Sequence, residues 1–374
     1  MDNSVLVVGG GIAGLALARA LRERDIPVEI AERAVPGAGA GTAGLAINLP
    51  GNAITALTAL GVGDGLRKLG RPTRRREYRS TRGRLLFTID EEEFWGADAQ
   101  PRCVRRKDLL ALLGDGLDDA RRSPASVRGV RPARAGAEAA FDTDEMQTYA
   151  FVAGADGVRS VVRGSVFGGG STRESLLSAA SWRFMAPNPG VDCWTVWSGD
   201  GGAFLLIPVD EHEVYGYASG IRGGPIGAEP SWLHETFRDY PDPVRAVLAH
   251  IEKDPATLYH SPIEEVRATS WASGRCVLVG DAAHATAPVW AQGAALAVED
   301  ALVLANVLAG GDWDTAGARY EAKRRARVTH VQTATDRFAK AAGLPTWLRN
   351  PLMPIVGPRV YRGAYESLRT VDLK

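Results

Sequence analysis

Gly9, Gly11 and Gly14 stand at G-x-G-x-x-G spacing, and an acidic residue, Glu32, follows about twenty positions on. Glycines so placed let the backbone turn sharply and come close to a pyrophosphate. The amino end of a following helix offers free N–H groups and positive potential, and the acid can accept hydrogen bonds from ribose hydroxyls. The chemistry this predicts is recognition of a dinucleotide, without separating a nicotinamide from a flavin. The flanking pattern supplies the elements that must position it. Residues 4–8 are a short β-branched run, residues 12–24 carry Leu15, Leu17, Ala18 and Leu21 at helical spacing, and residues 27–31 form a second buried strand ending at Glu32. Ala13 inside the motif and Arg33 beside Glu32 are further candidate contacts.

Far downstream, residues 276–300 read CVLVGDAAHATAPVWAQGAALAVED, a strand running into a loop and then an apolar helix. Two shorter segments accompany it, GADGVRSVVR at 154–163 and RKDLL at 106–110. Together these resemble the Gly-Asp, Asp-Gly and Arg-x-x-Leu elements of the class A flavoprotein monooxygenases, the p-hydroxybenzoate and salicylate hydroxylases. The resemblance covers most of the chain from Val5 to about Ala342 and implies FAD as the dinucleotide. It implies that Asp281 bonds the ribityl chain, that Pro288, Gln292, Gly293 and Ala294 run beside the isoalloxazine ring, that Asp156 shapes the pyrophosphate region, and that Arg106, or Arg105 one residue earlier, contacts the cofactor. A helix starting near Gln292 would aim its N–H groups at the flavin and favour the anionic reduced form. The chain departs from the family at Ala291, where glycine usually precedes the glutamine. Asp156 can equally cap the helix after it, and His284 is read as an ordinary interior or surface histidine.

The same resemblance implies hydroxylation through a flavin C4a-hydroperoxide, with O2 as co-substrate and NADPH or NADH as a transient reductant. The difficult chemistry then belongs to the cofactor, and the protein supplies position, dryness and electrostatics. This agrees with the sequence, which has no Ser-His-Asp set, no H-E-x-x-H, no Cys/His cluster and no second nucleotide fingerprint. Epoxidation, Baeyer–Villiger oxidation or reduction on the same fold, and a catalytically silent FAD-binding protein, are the competing readings. A halogenase is disfavoured because Trp194 and Trp197 are too far apart for W-x-W-x-I-P and Ile207-Pro208 lies well beyond them.

Around the motifs, the chain predicts an α/β protein: a Rossmann-like FAD-binding domain with an inserted, mostly antiparallel β-sheet substrate domain and C-terminal helices. The FAD-binding domain takes residues 1–70, 100–170 and 270–342, the sheet domain 71–99 and 171–269, and a C-terminal helical segment 343–374. Between 171 and 269 aromatic residues recur in alternating runs, with a hairpin turn at Asp200-Gly201-Gly202. Residues 213, 215 and 217 share one strand face. Tyr215 is the leading pocket candidate, with Tyr217 and Trp197 behind it, and Tyr215 or His212 could serve as base toward a phenol. The stretch from Gly41 to Pro50 resembles the segment that passes the substrate side of the ring in salicylate-hydroxylase-like members, which implies that Leu45 and Ile47 lie there together with Pro288. The last thirty residues, punctuated by four prolines, are expected to form shorter helices on the surface.

Composition sets the outer bounds. At 374 residues and 45% hydrophobic content the chain can fill two cores. Forty-four basic residues balance 44 acidic ones, so no nucleic-acid partner is expected. Cys103, Cys193 and Cys276 lack metal-ligand spacing and suit buried thiols in a reducing cytoplasm. No run reaches the length of a membrane span, and the N-terminal apolar stretch lacks a basic flank, so neither stable membrane insertion nor a signal peptide is expected. The expected partner is a small aromatic molecule and the expected assembly a monomer or homodimer.

Overall fold

In the computed structural model, which describes residues 2–33, 45–122, 124–168, 170–220 and 226–371, the glycine motif sits where the hydrophobic pattern places it. The strand Asp2–Val8 runs parallel to Val28–Ala31 on one side and to Met146–Gly154 on the other, and Met146–Gly154 in turn pairs parallel with Cys276–Leu278. Val5 to Val8, Phe151 to Ala153 and Cys276 to Leu278 are almost wholly buried, as strands covered on both faces must be. The eight-stranded sheet is completed by the edge strands Arg121–Arg122 and Ala272–Ser273 and by an antiparallel hairpin, Val127–Ala133 with Gly136–Phe141. Helix Ile12–Arg22 packs against the long helix Gly293–Ala309, whose side chains are apolar nearly all round and buried accordingly.

A second sheet has seven strands in the order Tyr259–Pro262, Ala180–Pro187, Glu213–Ser219, Ala203–Pro208, Trp194–Ser198, Arg75–Ser80 and Leu85–Asp90. All neighbours are antiparallel except Trp194–Ser198 and Arg75–Ser80, so a segment from early in the chain extends a sheet built mostly from the middle. The predicted turn at Asp200 to Gly202 joins two of these strands. One face of the sheet, with Trp182, Phe184, Trp197, Phe204 and Val214, packs on the helices Ser231–Phe237 and Asp242–Lys253, neither of which the sequence pattern marked. The other face, with Met185, Val196, Leu205, Ile207 and Tyr215, packs toward Ala46 and Cys103 of a small three-stranded sheet.

The C-terminal region corrects the expectation of several shorter helices. Thr346–Tyr365 is one helix of 20 residues with Pro351, Pro354 and Pro358 inside it. The prolines lie on its outer or half-buried side, where carbonyls that lose an N–H partner can be hydrated, while Gly357, Tyr361, Ala364 and Tyr365 are buried and hold the inner side. The three cysteines are free and buried, as expected.

Candidate functional site

The three glycines of the fingerprint do different work. Gly9 has φ +108°, and a Cβ there would stand 2.6 Å from the Ala155 carbonyl oxygen, so glycine lets the strand end close on the 154–157 loop. A Cβ on Gly14 would stand 1.9 Å from the Gly9 carbonyl, so glycine seats the helix on the turn. At Gly11 a Cβ would meet nothing within 4 Å. The chain leaves open space where a pyrophosphate has to approach, which is the fit a dinucleotide requires. Glu32 stands across this turn, one oxygen accepting the Gly10 N–H at 2.6 Å, with Arg33 exposed at the strand end beside it. Ala13 lies against Gly280, where a Cβ would be 2.9 Å from its methyl, so the glycine turn and the Gly-Asp segment are in contact.

Asp281 is exposed at the start of the turn Asp281–His284, with one carboxylate oxygen 3.8 Å from where a Gly293 Cβ would stand. The first turn of helix Gly293–Ala309 therefore presents its free N–H groups beside an acid that can accept a hydrogen bond from a hydroxyl. Ala291, at the departure from the family pattern, has φ +52°. It is an alanine in the left-handed region that glycine occupies without cost. Gln292 uses its side chain within the protein. Its side-chain amide is buried and exchanges both hydrogen bonds with Asn52, at 2.9 and 3.1 Å, so only its backbone remains for a cofactor. Pro288 is exposed on the loop and Ala294 is buried in the first helical turn.

A buried polar network fixes this helix. Asn52 also donates to Glu299 at 3.0 Å; Glu299 pairs with Arg324 at 2.9 Å and with Arg327 at 2.6 Å; Arg324 Nε bonds Asp300 at 2.8 Å. Asp300 accepts from the Gly280 N–H at 2.9 Å and meets His284 Nε2 at 2.6 Å, which makes His284 the satisfied interior histidine expected. Burial opposes ionisation of Asp300, but the His284 and Arg324 charges outweigh it and lower the carboxyl to about 2. Asp156 is a helix cap: its two oxygens take the Ser160 hydroxyl at 2.5 Å and the N–H groups of Val161 and Val162 at 2.7 and 3.1 Å. Arg163 from that helix donates to the Ala282 carbonyl at 2.8 Å and locks the Asp-Gly and Gly-Asp segments together.

The two adjacent arginines differ in their partners. Arg105 pairs with Asp210 and Glu213 at 2.7 and 2.5 Å and is spent on the sheet. Arg106 has no hydrogen bond or ion pair from its guanidinium among the described residues, yet lies where Asp281, Arg183, Tyr259 and Tyr215 all act on it; burial pulls its pKa down, with Asp281 pushing the other way.

The face of the seven-stranded sheet turned away from the helices Ser231–Phe237 and Asp242–Lys253 carries Arg183, Met185, Tyr215 and Tyr217. Burial raises the Tyr215 phenol to about 12 against the pull of Arg183 and Arg106. At neutral pH it is a hydrogen-bond donor, which corrects its reading as a base. Tyr217, half-buried, lies with its hydroxyl toward Ser219 and Ser181. Trp197 and His212 are not at this site. Trp197, 3% exposed, belongs to the opposite face of the sheet and packs with Phe204, because strand alternation sends it away from the face that carries Arg183 and Tyr215. His212 is exposed at the tip of the hairpin, its N–H bonded to Asp210. Leu45 is buried and its carbonyl accepts the Arg106 N–H at 2.8 Å; Ile47 is half-buried on the next strand; residues 41–44 of that stretch lie outside the described residues. No hydrogen-bonding role was expected of Arg183 or of Asn52. A lone arginine among the apolar residues of 180–187 and a lone amide in the apolar helix Gly51–Ala59 were the available signals.

The glycine cradle, the acid at a helix start and an open sheet face define a flavin-binding oxidoreductase fold. The FAD binding domain family matches residues 2–335, and the chain belongs to it, as a class A FAD-dependent aromatic hydroxylase. The 2-heptyl-3-hydroxy-4(1H)-quinolone synthase of Pseudomonas aeruginosa (strain UCBPP-PA14) is 30% identical over 381 residues, 98% of each chain. The 3-hydroxybenzoate 6-hydroxylase 1 of Aquipseudomonas alcaligenes is 30% identical over 388 residues, 94% of each. The crystal structure of Klebsiella pneumoniae HpxO complexed with FAD and uric acid shares the fold, with TM-score 0.82 and 24% identity over 98% of this chain and 92% of that one.

Proposed function

We propose that the chain is a monooxygenase that hydroxylates a planar aromatic molecule, taking electrons from NADH or NADPH and oxygen from O2. The observation that carries this reading is the pairing of a cofactor-shaped helix end at Asp281 and Gly293 with an apolar sheet face whose polar groups, Arg183 and Tyr215, have no hydrogen bond or ion pair from their side chains among the described residues. Bound FAD would supply the redox chemistry that delivers an oxygen atom to the ring. The residues of this chain do the rest. Gly11, Glu32 and Arg106 bind the dinucleotide, Asp281 receives a ribityl hydroxyl, and the backbone N–H groups of the 293–295 turn stabilise negative charge at the ring edge. Ile207, Leu205, Val196 and Met185 supply apolar walls that exclude water, while Arg183 and Tyr215 donate to an oxygen substituent of the substrate and orient the carbon to be hydroxylated. Domain roles follow the same division: residues 71–99 and 171–269 bind substrate and the flanking segments bind FAD.

The quinolone and hydroxybenzoate names of the relatives fit such a pocket, in which a phenolate, enolate or carboxylate oxygen meets Arg183. Purified protein is expected to be yellow, to release FAD on denaturation, and to oxidise NADH or NADPH faster when a hydroxylated aromatic acid or quinolone is added, with one oxygen incorporated from 18O2. A yellow protein whose NAD(P)H oxidation no aromatic accelerates defeats the oxygenase. Asp281→Ala is expected to purify with little flavin; unchanged flavin content would overturn the cofactor assignment.

A further inference from the structure

The helix Thr346–Tyr365 has an inner side fastened to the protein and an outer side with nothing against it. On the inner side Tyr361 donates to Glu91 at 2.8 Å, Tyr365 donates to the Trp290 carbonyl at 2.7 Å, and Gly357 sits against Phe87. On the outer side Trp347 is 76% exposed, Ile355 60% and Leu352 50%, with Leu348, Val356 and Val360 also exposed. Of the eleven exposed large hydrophobic residues among those described, seven lie between Leu344 and Val360. Monomeric proteins seldom gather that much apolar surface in one place without a use for it.

The charges on this helix narrow what covers it. Residues 346–365 contain no aspartate or glutamate and three arginines. At about 100° per residue, Trp347, Leu348, Leu352, Ile355, Arg359 and Arg362 fall within half the circumference. Arg359 and Arg362 are exposed and have no ion pair among the described residues. An exposed tryptophan with aliphatic neighbours, followed by unpaired arginines and no acid, is the composition of a helix that lies in the headgroup region of an anionic bilayer. Among the described residues no helix is long and apolar enough to cross a membrane, so the helix would lie on one rather than span it. A second copy of the chain is a poorer occupant. A twofold contact between these helices would set Arg359 and Arg362 against a surface with no carboxylate between 346 and 365 to receive them.

We infer that the outer face of Thr346–Tyr365 docks this protein on an anionic lipid surface, its aliphatic residues and Trp347 entering the headgroup boundary and Arg359 and Arg362 meeting lipid phosphates. The docking stands independently of the catalytic reading. It would also bring the loop ahead of Ala291 near the bilayer, since Tyr365 holds the Trp290 carbonyl.

The test is co-sedimentation of the full-length flavoprotein with vesicles of phosphatidylcholine alone or mixed with phosphatidylglycerol, at low and high salt. The expected result is binding to the mixed vesicles at least about tenfold tighter than to phosphatidylcholine, weakened by salt. The double variant Trp347→Ser/Ile355→Ser should lose binding by at least about tenfold with flavin content and melting temperature unchanged. Arg359→Gln/Arg362→Gln should lose most of the preference for phosphatidylglycerol and most of the salt dependence. Wild-type protein that ignores both vesicles overturns the inference, as does vesicle binding that survives both double variants. Self-association that Trp347→Ser abolishes, in protein that binds no vesicle, gives the face to a second copy and overturns it as well.

Discussion

The two polar regions that flank the candidate site differ in how their charges are met. On the helix side, Asn52, Gln292, Glu299, Asp300, His284, Arg324 and Arg327 are joined in one chain of hydrogen bonds and ion pairs, nearly all of it buried. On the sheet side Arg183 and Tyr215 are half-buried with no hydrogen bond or ion pair among the described residues, although desolvating a guanidinium is costly unless something answers its charge. A satisfied network holds geometry, and its members are poor candidates for ligand contact. An unsatisfied polar group among apolar neighbours is the better candidate for ligand contact. Arg106 is acted on by groups from each region, Asp281 beside the helix and Arg183 and Tyr215 on the sheet. The same contrast divides neighbours in sequence, since Arg105 is paired to the sheet and Arg106 is not.

The largest effect should come from breaking the satisfied side. Asp300→Asn removes the buried carboxylate that answers His284 and the Arg324 Nε, leaving Arg324 with Glu299 for an acidic partner, and is expected to cost about 3–5 kcal/mol of folding stability, read by urea unfolding at pH 7. The pH dependence has a definite sign. A carboxyl held at about 2 when folded, below its ordinary value near 3.9, contributes stability that is complete above pH ~5 and is lost as pH falls toward 2. Wild-type protein should therefore weaken steeply below pH ~4. The Asn variant should lose less over the same interval, and equal slopes would show that Asp300 is not the stabilised group.

Breaking the open side should barely touch the fold and should fall on substrate. Arg183→Gln is expected to shift melting by no more than a degree or two, to keep its FAD, and to raise KM for an acidic or enolic aromatic by about 10- to 100-fold, the worth of one hydrogen bond to a charged group. A neutral aromatic without an oxygen substituent should feel the change much less. If Arg183→Gln unfolds the protein instead, the arginine belongs to the structure and the contrast between the two sides fails. Tyr215→Phe is a milder form of the same test, with an expected loss of about tenfold or less and no acid limb removed from the pH–rate profile, because a phenol raised to about 12 is not the base.

What could be read from the sequence divides along the same line. The βαβ unit, the hairpin at Asp200 to Gly202 and the helix after Gln292 were legible because local pattern and glycine chemistry determine them. Glu299 and Asp300, an acid pair inside an apolar helix, are answered by Arg324 and Arg327 on a different helix, and nothing in the spacing announces that pairing. Trp197 was expected at the substrate pocket, and the face it stands on is the one covered by helices, while Arg183 stands on the other. Alternation gives the two faces and leaves open which one the helices Ser231–Phe237 and Asp242–Lys253 will cover. The single helix Thr346–Tyr365 was hidden by its prolines, whose cost is outweighed by the packing of Tyr361 and Tyr365.

The smallest effect sharpens the comparison at the point where the two sides meet. Ala291 holds φ +52°, next to the Trp290 carbonyl fixed by Tyr365 and the Gln292 side chain fixed by Asn52. With both neighbours pinned, the loop cannot relax around the alanine, and the left-handed conformation costs roughly 1 kcal/mol that glycine would not incur. Ala291→Gly recovers that amount in the folded state but gives the unfolded chain more freedom, so the net gain should be a few tenths to about 1 kcal/mol, seen as a small rise in melting temperature. Flavin affinity should stay level or improve slightly, since the backbone path is one that glycine follows without strain. A fall in stability would mean that the methyl group makes contacts worth more than the backbone strain it imposes, and that the loop was tuned for alanine.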